Sequence, residues 1–277
     1  MVQIITDSST LFTEHEAKEM GIEVFPLCVN IGDLEGRDLQ IDMEDFYNRI
    51  AKGGVPRSSQ PPIGEVIEAY EKYPEDEVIN IAMADGLSGT YQSACGAREM
   101  VDNKENITVV NTKTLCGPHR YMVQKALQMK KAGSTAKEII KWLEHARENQ
   151  ESFLIPQDFD FLRRGGRLTP MAATFASTLK LKPIMTQTSD GCRLDKYAIK
   201  RNMKQAVAAV IERWKKKGID AKHIIYVSHA NALEDAKKVI QMLKEHFAEV
   251  EIIMLDLGAA FVTQGGPKCV AIQYIEK

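Results

Sequence analysis

Three polar loops carry residue types that could bind a small ligand. They are residues 57–62 (RSSQPP), 86–90 (GLSGT) and 163–167 (RRGGR). The first two precede segments that we predict to be helices. Backbone N–H groups and the helix dipole favour an anion at such a place. Serine hydroxyls add donors without adding charge, so we expect a small anion such as a carboxylate. The alternative is ordinary capping by serine and turning by glycine.

The loop at residues 163–167 offers a different chemistry, because it holds three arginines around two glycines. A guanidinium group can contact a carboxylate or a phosphate through two parallel hydrogen bonds. The alternative is a solvated turn whose arginines point to water.

Several enzyme motifs are absent from the sequence. It contains no G-x-x-x-x-G-K-[ST] loop for ATP and no G-x-G-x-x-G after a strand for a dinucleotide. Residues 86–89 (GLSG) resemble a nucleophile elbow but lack one residue between the serine and the second glycine. We therefore predict no catalytic residue. A serine hydrolase using Ser88, with His229 as its base, is kept as an alternative.

Composition excludes some partners and compartments. The formal net charge of −2 gives no reason to expect nucleic acid. The five cysteines are odd in number and scattered, which disfavours a disulfide framework or a zinc site. No apolar run is long enough to span a bilayer, and no basic region precedes the apolar N-terminus. We therefore expect a cytoplasmic protein without metal and without stable membrane insertion.

The chain alternates short β-rich segments with amphipathic helical ones. Residues 78–84 (VINIAMA) form a near-continuous apolar run, typical of a strand that is covered on both faces. This alternation predicts a mostly parallel sheet with helices on both faces. The dipeptide Asp190-Gly191 predicts a hairpin, and hence a mixed second sheet. We predict two α/β domains, residues 1–157 and residues 158–277.

The order of the motifs resembles the DegV family of fatty-acid-binding proteins, which includes the B subunits of bacterial fatty-acid kinase. The motifs that carry the resemblance are residues 5–9 (ITDSS), 58–61 (SSQP), 86–94 (GLSGTYQSA), 162–167 (LRRGGR), 181–184 (LKPI), 190–191 (DG), 200–201 (KR) and 229–231 (HAN). They extend over essentially the whole chain. Several motifs in one order are more specific than any of them alone.

The resemblance implies a non-catalytic carrier. One long-chain fatty acid, such as palmitate or oleate, is expected in an apolar tunnel at the junction of the two domains. Its carboxylate is expected to accept hydrogen bonds from Ser58, Ser59 and Ser88. No cofactor is implied. A separate ATP-dependent kinase subunit is expected to phosphorylate the presented acid, which agrees with the missing ATP-binding loop.

Further positions follow from the resemblance, and some depart from it. Arg167, Arg201 and Gln264 fall at the pocket mouth or at positions that present the head group. Gln264 stands where the family has a histidine, and glutamine cannot carry a positive charge. A lipid-binding sensor or buffer without a kinase role is therefore a second alternative. Ala84 and Asp85 replace paired serines, and a carboxylate there is unfavourable unless it points away or is paired.

Overall fold

The computed structural model describes residues 1–174 and 181–277. These residues form two compact units, Met1–Glu148 and Asn149–Lys277. The sequence had placed the boundary between residues 157 and 158. The structure divides the chain earlier, because residues 150–155 pair with strands of the second unit rather than the first.

The described residues of the first unit contain seven strands and six α-helices. The strands are β1 (Val2–Asp7), β2 (Glu23–Phe25), β3 (Cys28–Ile31), β4 (Leu34–Arg37), β5 (Arg57–Ser59), β6 (Glu77–Ala82) and β7 (Ile107–Asn111). The helices are α1 (Glu14–Met20), α2 (Met43–Ala51), α3 (Ile63–Glu71), α4 (Thr90–Arg98), α5 (Cys116–Lys131) and α6 (Ala136–Ala146).

The larger sheet of this unit is parallel, with the strand order β2-β1-β6-β7. Helices α3 and α4 pack on the face that carries Ile5, Val78 and Ile107. Helix α5 lies on the opposite face, because its His119 contacts Thr6, and successive side chains of a strand point to opposite faces. The predicted parallel sheet with helices on both faces is confirmed.

A three-stranded antiparallel sheet, β4-β3-β5, was not predicted. Its middle strand is separated from β2 by a short break, because β2 ends before Pro26 and β3 begins at Cys28. Proline has no N–H group for a strand ladder, so it interrupts the pairing. In the smaller sheet, β5 pairs with β3 so that Ser58 lies opposite Val29. This pairing fixes the backbone of the serine loop.

The second unit contains six described strands and five helices. The strands are β8 (Gln150–Ile155), β9 (Lys182–Gln187), β10 (Leu194–Lys200), β11 (His223–His229), β12 (Glu251–Asp256) and β13 (Val270–Glu276). The helices are α7 (Phe159–Gly165), α8 (Pro170–Ala173), α9 (Met203–Lys217), α10 (Leu233–Lys244) and α11 (Ala259–Gly265).

These six strands form one mixed sheet in the order β10-β9-β8-β13-β11-β12. Strands β11 and β12 are parallel, and the other neighbours are antiparallel, so the predicted mixed sheet is confirmed. Trp214 lies in its core and donates its indole N–H to Glu151 at 3.0 Å. Arg213 and Lys217 also donate to Glu151, so this largely buried carboxylate is compensated by two cations.

The hairpin predicted at Asp190-Gly191 joins β9 to β10, but its loop is wider than a two-residue turn. Gly191 has a φ of +76° and donates its N–H to the carbonyl of Thr188 at 2.8 Å. The Asp190 carboxylate accepts the N–H of Cys192 at 2.9 Å. The side chain of Asp190 therefore forms a hydrogen bond with the backbone two residues ahead, which is a contact typical of Asp in loops longer than a two-residue turn.

Helices α7, α8 and α11 were not predicted. They have 7, 4 and 7 residues, which is too few for an amphipathic repeat to show in the sequence. Within the described parts of the chain, no helix is both long and apolar enough to cross a bilayer.

Candidate functional site

At the carboxyl edge of the parallel sheet, Asp7, the last residue of β1, links the segment after β1 to the segment after β6. Its buried carboxylate accepts the N–H of Ser9 at 2.9 Å through one oxygen. The other oxygen accepts the N–H of Met83, just after β6, at 2.9 Å. Open α/β sheets bind their ligands at this edge. Asp7 therefore fixes where the loop after β6 leaves the sheet.

The next residues of that loop are anchored through their backbone. Ala84 donates its N–H to the carbonyl of Thr114 at 2.9 Å, and Asp85 donates to the side-chain oxygen of Asn111 at 3.2 Å. Gly86 donates to the Asp85 carboxylate at 3.0 Å. Protein acceptors already use these N–H groups. A ligand would instead use the serine hydroxyls and the start of α4.

His119 is a buried residue that the sequence analysis missed. Its Nε2 lies 3.0 Å from the carbonyl oxygen of Ile81, and its Nδ1 lies 2.6 Å from Oγ of Ser9. A carbonyl only accepts, so Nε2 carries the proton and the Ser9 hydroxyl donates to Nδ1. A histidine in the first turn of a helix after a parallel strand was the signal that could have revealed it.

The environment of His119 keeps its ring neutral. Burial lowers the pKa of His119, although the nearby Asp7 carboxylate opposes this shift. Ser9 and His119 have the geometry of a nucleophile and its base, but neither has any exposed surface. A substrate therefore has no access to this serine, and the pair serves to join β1, β6 and α5.

Ser88 lies half-buried in the loop before α4. Its Oγ is 2.8 Å from the hydroxyl of Thr90 and accepts the N–H of Thr90 at 3.3 Å. The hydroxyl is thus oriented by a second hydroxyl rather than by an imidazole. In the second unit, Nδ1 of His229 lies 3.3 Å from Asp256 and 3.4 Å from the N–H of Ala232.

The structure brings the two serine loops of the first unit together. A Cβ atom added at Gly89 would lie 2.1 Å from Oε1 of Gln60, so the amide of Gln60 packs directly on this glycine. Ser58 and Ser59 precede Gln60, and Ser88 precedes Gly89. The N-cap residue of α4 is Gly89, which has no side chain to cap the helix. The two serine loops therefore meet near the start of α4, where the helix dipole favours an anion.

Asp85, the residue that departs from the family pattern, is hydrogen-bonded within its own loop. One carboxylate oxygen accepts the N–H of Gly86, and the other accepts the amide of Gln92 at 2.8 Å. Both donors are neutral, so they orient the carboxylate without neutralising its charge.

In the second unit, Gln264 and Arg167 both contact Gly165, the last residue of α7. A Cβ atom at Gly165 would lie 2.1 Å from Oε1 of Gln264, and the amide nitrogen of Gln264 donates to Thr263 at 3.2 Å. Arg167 donates to the carbonyl of Gly165, and burial lowers the pKa of its guanidinium. These two predicted residues are therefore neighbours.

Arg201 is not brought to the same place. It is exposed and follows β10, where its N–H donates to Gln205 at 3.2 Å. The carbonyl of Arg167 instead accepts the N–H of Leu194, the first residue of β10, at 2.8 Å. Strands rise about 3.3 Å per residue, so this strand separates the two backbone positions by roughly 20 Å.

Comparisons with known proteins identify the family. The family model for uncharacterised proteins of the DegV family matches residues 1–277. This chain belongs to the DegV family. A DegV domain-containing protein of Staphylococcus aureus is 32% identical over 252 residues, which covers 88% of this chain and 88% of that protein.

Solved DegV structures have the same fold as this DegV chain. Bacillus subtilis DegV, described as a fatty acid binding protein, is 30% identical with a TM-score of 0.86, and the match covers 100% of this chain and 99% of the other. A DegV family protein from Ruminococcus gnavus, described with vaccenic acid, is 26% identical with a TM-score of 0.87. That match covers 98% of this chain and 99% of the other.

The contact between Gln60 and Gly89 makes a testable prediction for this DegV protein. Gly89 has a φ of −74°, so Gly89→Ala causes no backbone strain, but its methyl group meets the Gln60 amide. Both residues are exposed and the Gln60 amide ends a flexible side chain that can move aside, so we expect a loss of about 0.5 kcal/mol in the free energy of unfolding. Gln60→Ala should recover most of this loss in the double mutant, as measured by urea unfolding.

The matched control is Gly64→Ala in α3, where an added Cβ meets nothing within 4 Å. Because Gly64 lies in the first turn rather than the middle of the helix, this change should stabilise the protein by at most about 0.5 kcal/mol. Additive effects of Gly89→Ala and Gln60→Ala would show that the two residues do not pack together.

His119 predicts how stability depends on pH. The ordinary histidine pKa is about 6.5, and burial lowers it in the folded state. The unfolded chain therefore gains a proton first, and stability that is complete above about pH 6.5 declines as the pH falls toward the folded pKa. His119→Gln should cost about 1–2 kcal/mol at about pH 8 and flatten this decline.

Urea unfolding at several pH values between about 8 and 5 measures both effects. The exposed His145→Gln in α6 is the control and should leave the pH dependence unchanged. An unaltered decline in His119→Gln would mean that another group causes it.

Proposed function

We propose that this chain binds one long-chain fatty acid, whose carboxylate accepts hydrogen bonds from Ser58, Ser59 and Ser88. The observation that carries the proposal is the packing of Gln60 on Gly89, which sets the two serine loops side by side. Support also comes from DegV relatives at 30% and 26% identity, one described as fatty acid binding and the other with vaccenic acid.

In this proposal the acyl tail supplies the affinity. Burying one methylene stabilises a complex by about 0.8 kcal/mol, so ~15 methylenes supply on the order of 12 kcal/mol before losses. Immobilisation of ligand and side chains removes a good part of this sum. The carboxylate adds little, because hydroxyl and helix-dipole interactions mainly replace its lost hydration. Its role is to fix which end of the lipid faces outward.

We propose that the chain performs no reaction on the lipid. Ser88 is hydrogen-bonded to the hydroxyl of Thr90. The serine that does bond an imidazole, Ser9, has no exposed surface. These two observations argue against the serine hydrolase alternative, because a nucleophile needs both an activating base and access to its substrate.

We further propose that the bound acid is presented to a separate ATP-dependent kinase subunit in the cytoplasm. The sequence contains no ATP-binding loop of its own. Arg201 is exposed at the end of β10 and stands at the position that the family resemblance assigns to presentation or kinase contact. An exposed guanidinium suits a phosphate or an acidic partner.

A sensor or buffer without a kinase role is the second candidate, and Gln264 favours it. This residue stands where the family has a histidine, and its amide packs on Gly165 instead of offering a cation. A neutral amide cannot balance the charge of a presented carboxylate.

Mass spectrometry of an organic extract of the purified protein tests lipid binding directly. We expect about one long-chain fatty acid per chain. The double mutant Ser58→Ala, Ser88→Ala should bind added palmitate about tenfold more weakly, because two hydroxyl donors are lost while the tail is unaffected. Ser134→Ala, in the loop between α5 and α6, is the control.

A folded protein that yields no lipid and does not bind palmitate or oleate would contradict the proposal. If the double mutant binds palmitate with unchanged affinity, residues other than Ser58 and Ser88 bind the head group.

The kinase step is tested with Arg201→Ala. This variant should bind palmitate as the wild type does but should lose stimulation of acyl-phosphate formation by an added ATP-binding subunit. Lys216→Ala, an exposed cation near the end of α9, is the control and should keep both activities. Loss of lipid binding in Arg201→Ala would overturn this division of roles.

A further inference from the structure

The start of α4 already carries a carboxylate of the protein itself. Asp85 is held at 3.0 Å by the N–H of Gly86 and at 2.8 Å by the amide of Gln92, the third residue of α4. A backbone bridge also pairs Asp85 with Ser88. The carboxylate is therefore held within the loop, and the backbone of Asp85 lies next to that of Ser88, one of the serines that we propose for the head group.

This charge acts on the same helix start that would attract a ligand anion. A helix N-terminus has about half a positive elementary charge, and one carboxylate can offset it. Tyr91 lies in the first turn of α4. Its pKa is raised mainly by burial, then by the contact with Cys95, and Asp85 adds to the shift.

We propose that Asp85 determines head-group selectivity at the Ser58–Ser88 site. Its charge weakens the binding of a lipid whose head group is an ionised carboxylate. A lipid with the same tail and an uncharged head group that donates a hydrogen bond, such as an alcohol or a primary amide, is not weakened in this way. An O–H or N–H of such a head group can donate to Asp85, whereas a carboxylate is repelled. This inference rests on the proposed function, because it concerns the head group of the lipid that the serines would hold.

The test compares two ligands with one tail, hexadecanoate and hexadecan-1-ol, against wild type and Asp85→Asn. Asparagine keeps the size of the side chain and an acceptor for Gly86 but removes the charge. Asp85→Asn should bind hexadecanoate about tenfold more tightly, and its affinity for the alcohol should be unchanged or lower. Glu105→Gln removes one charge before β7, at the amino edge of the sheet, and should change neither affinity.

Asp85→Ser provides the same comparison if the asparagine variant does not fold. The wild type alone gives an independent readout. Raising the salt concentration from about 20 mM to about 500 mM should strengthen binding of the acid relative to the alcohol, because salt screens repulsion between like charges. Salting-out of the tail affects both ligands alike and cancels in their ratio.

The outcomes separate the two proposals. If neither lipid binds wild type or variant, the proposed lipid-binding function fails. If the acid binds wild type and variant equally, or if salt weakens acid binding relative to alcohol binding in the wild type, the role of Asp85 is overturned while lipid binding stands.

Discussion

The buried carboxylate of Asp7 is the contact on which the candidate site of the first unit depends. It joins β1 to the residue after β6, and the loop that begins there leads to Ser88 and α4. A buried carboxylate is costly unless its oxygens are satisfied, and two backbone N–H groups satisfy Asp7. The position at which the loop leading to Ser88 leaves the sheet therefore follows from a requirement of the core.

His119 extends this arrangement to the other face of the sheet. Its ring bonds the carbonyl of Ile81 and the hydroxyl of Ser9, so α5 is held to β6 and to the turn after β1 by directional contacts. Apolar packing alone would allow the helix to slide. The polar network sets its position, which is a role that buried hydrogen-bond networks often have.

Local features of the fold could be predicted from the sequence, whereas the site depends on distant contacts. The capping box of Thr13 and Glu16 and the apolar strand β6 follow from neighbouring residues, and the structure contains both. Ser9 and His119 are 110 residues apart, and no local pattern joins them. Short elements such as β5 were not predicted, because three residues are too few to show an alternation of apolar and polar side chains. The contact between Gln60 and Gly89 required the placement of a side chain.

The position of β13 has a consequence for synthesis of the chain. This strand comes last among the strands of the second sheet, yet it lies between β8 and β11, near the middle. All four strands of the parallel sheet in the first unit are complete by Asn111. On the ribosome, the first unit can thus reach its native pairing early. The second sheet exposes the edges of β8 and β11 until β13 emerges, so in that interval the nascent chain presents unpaired strand edges, which are sites for wrong pairing with other chains.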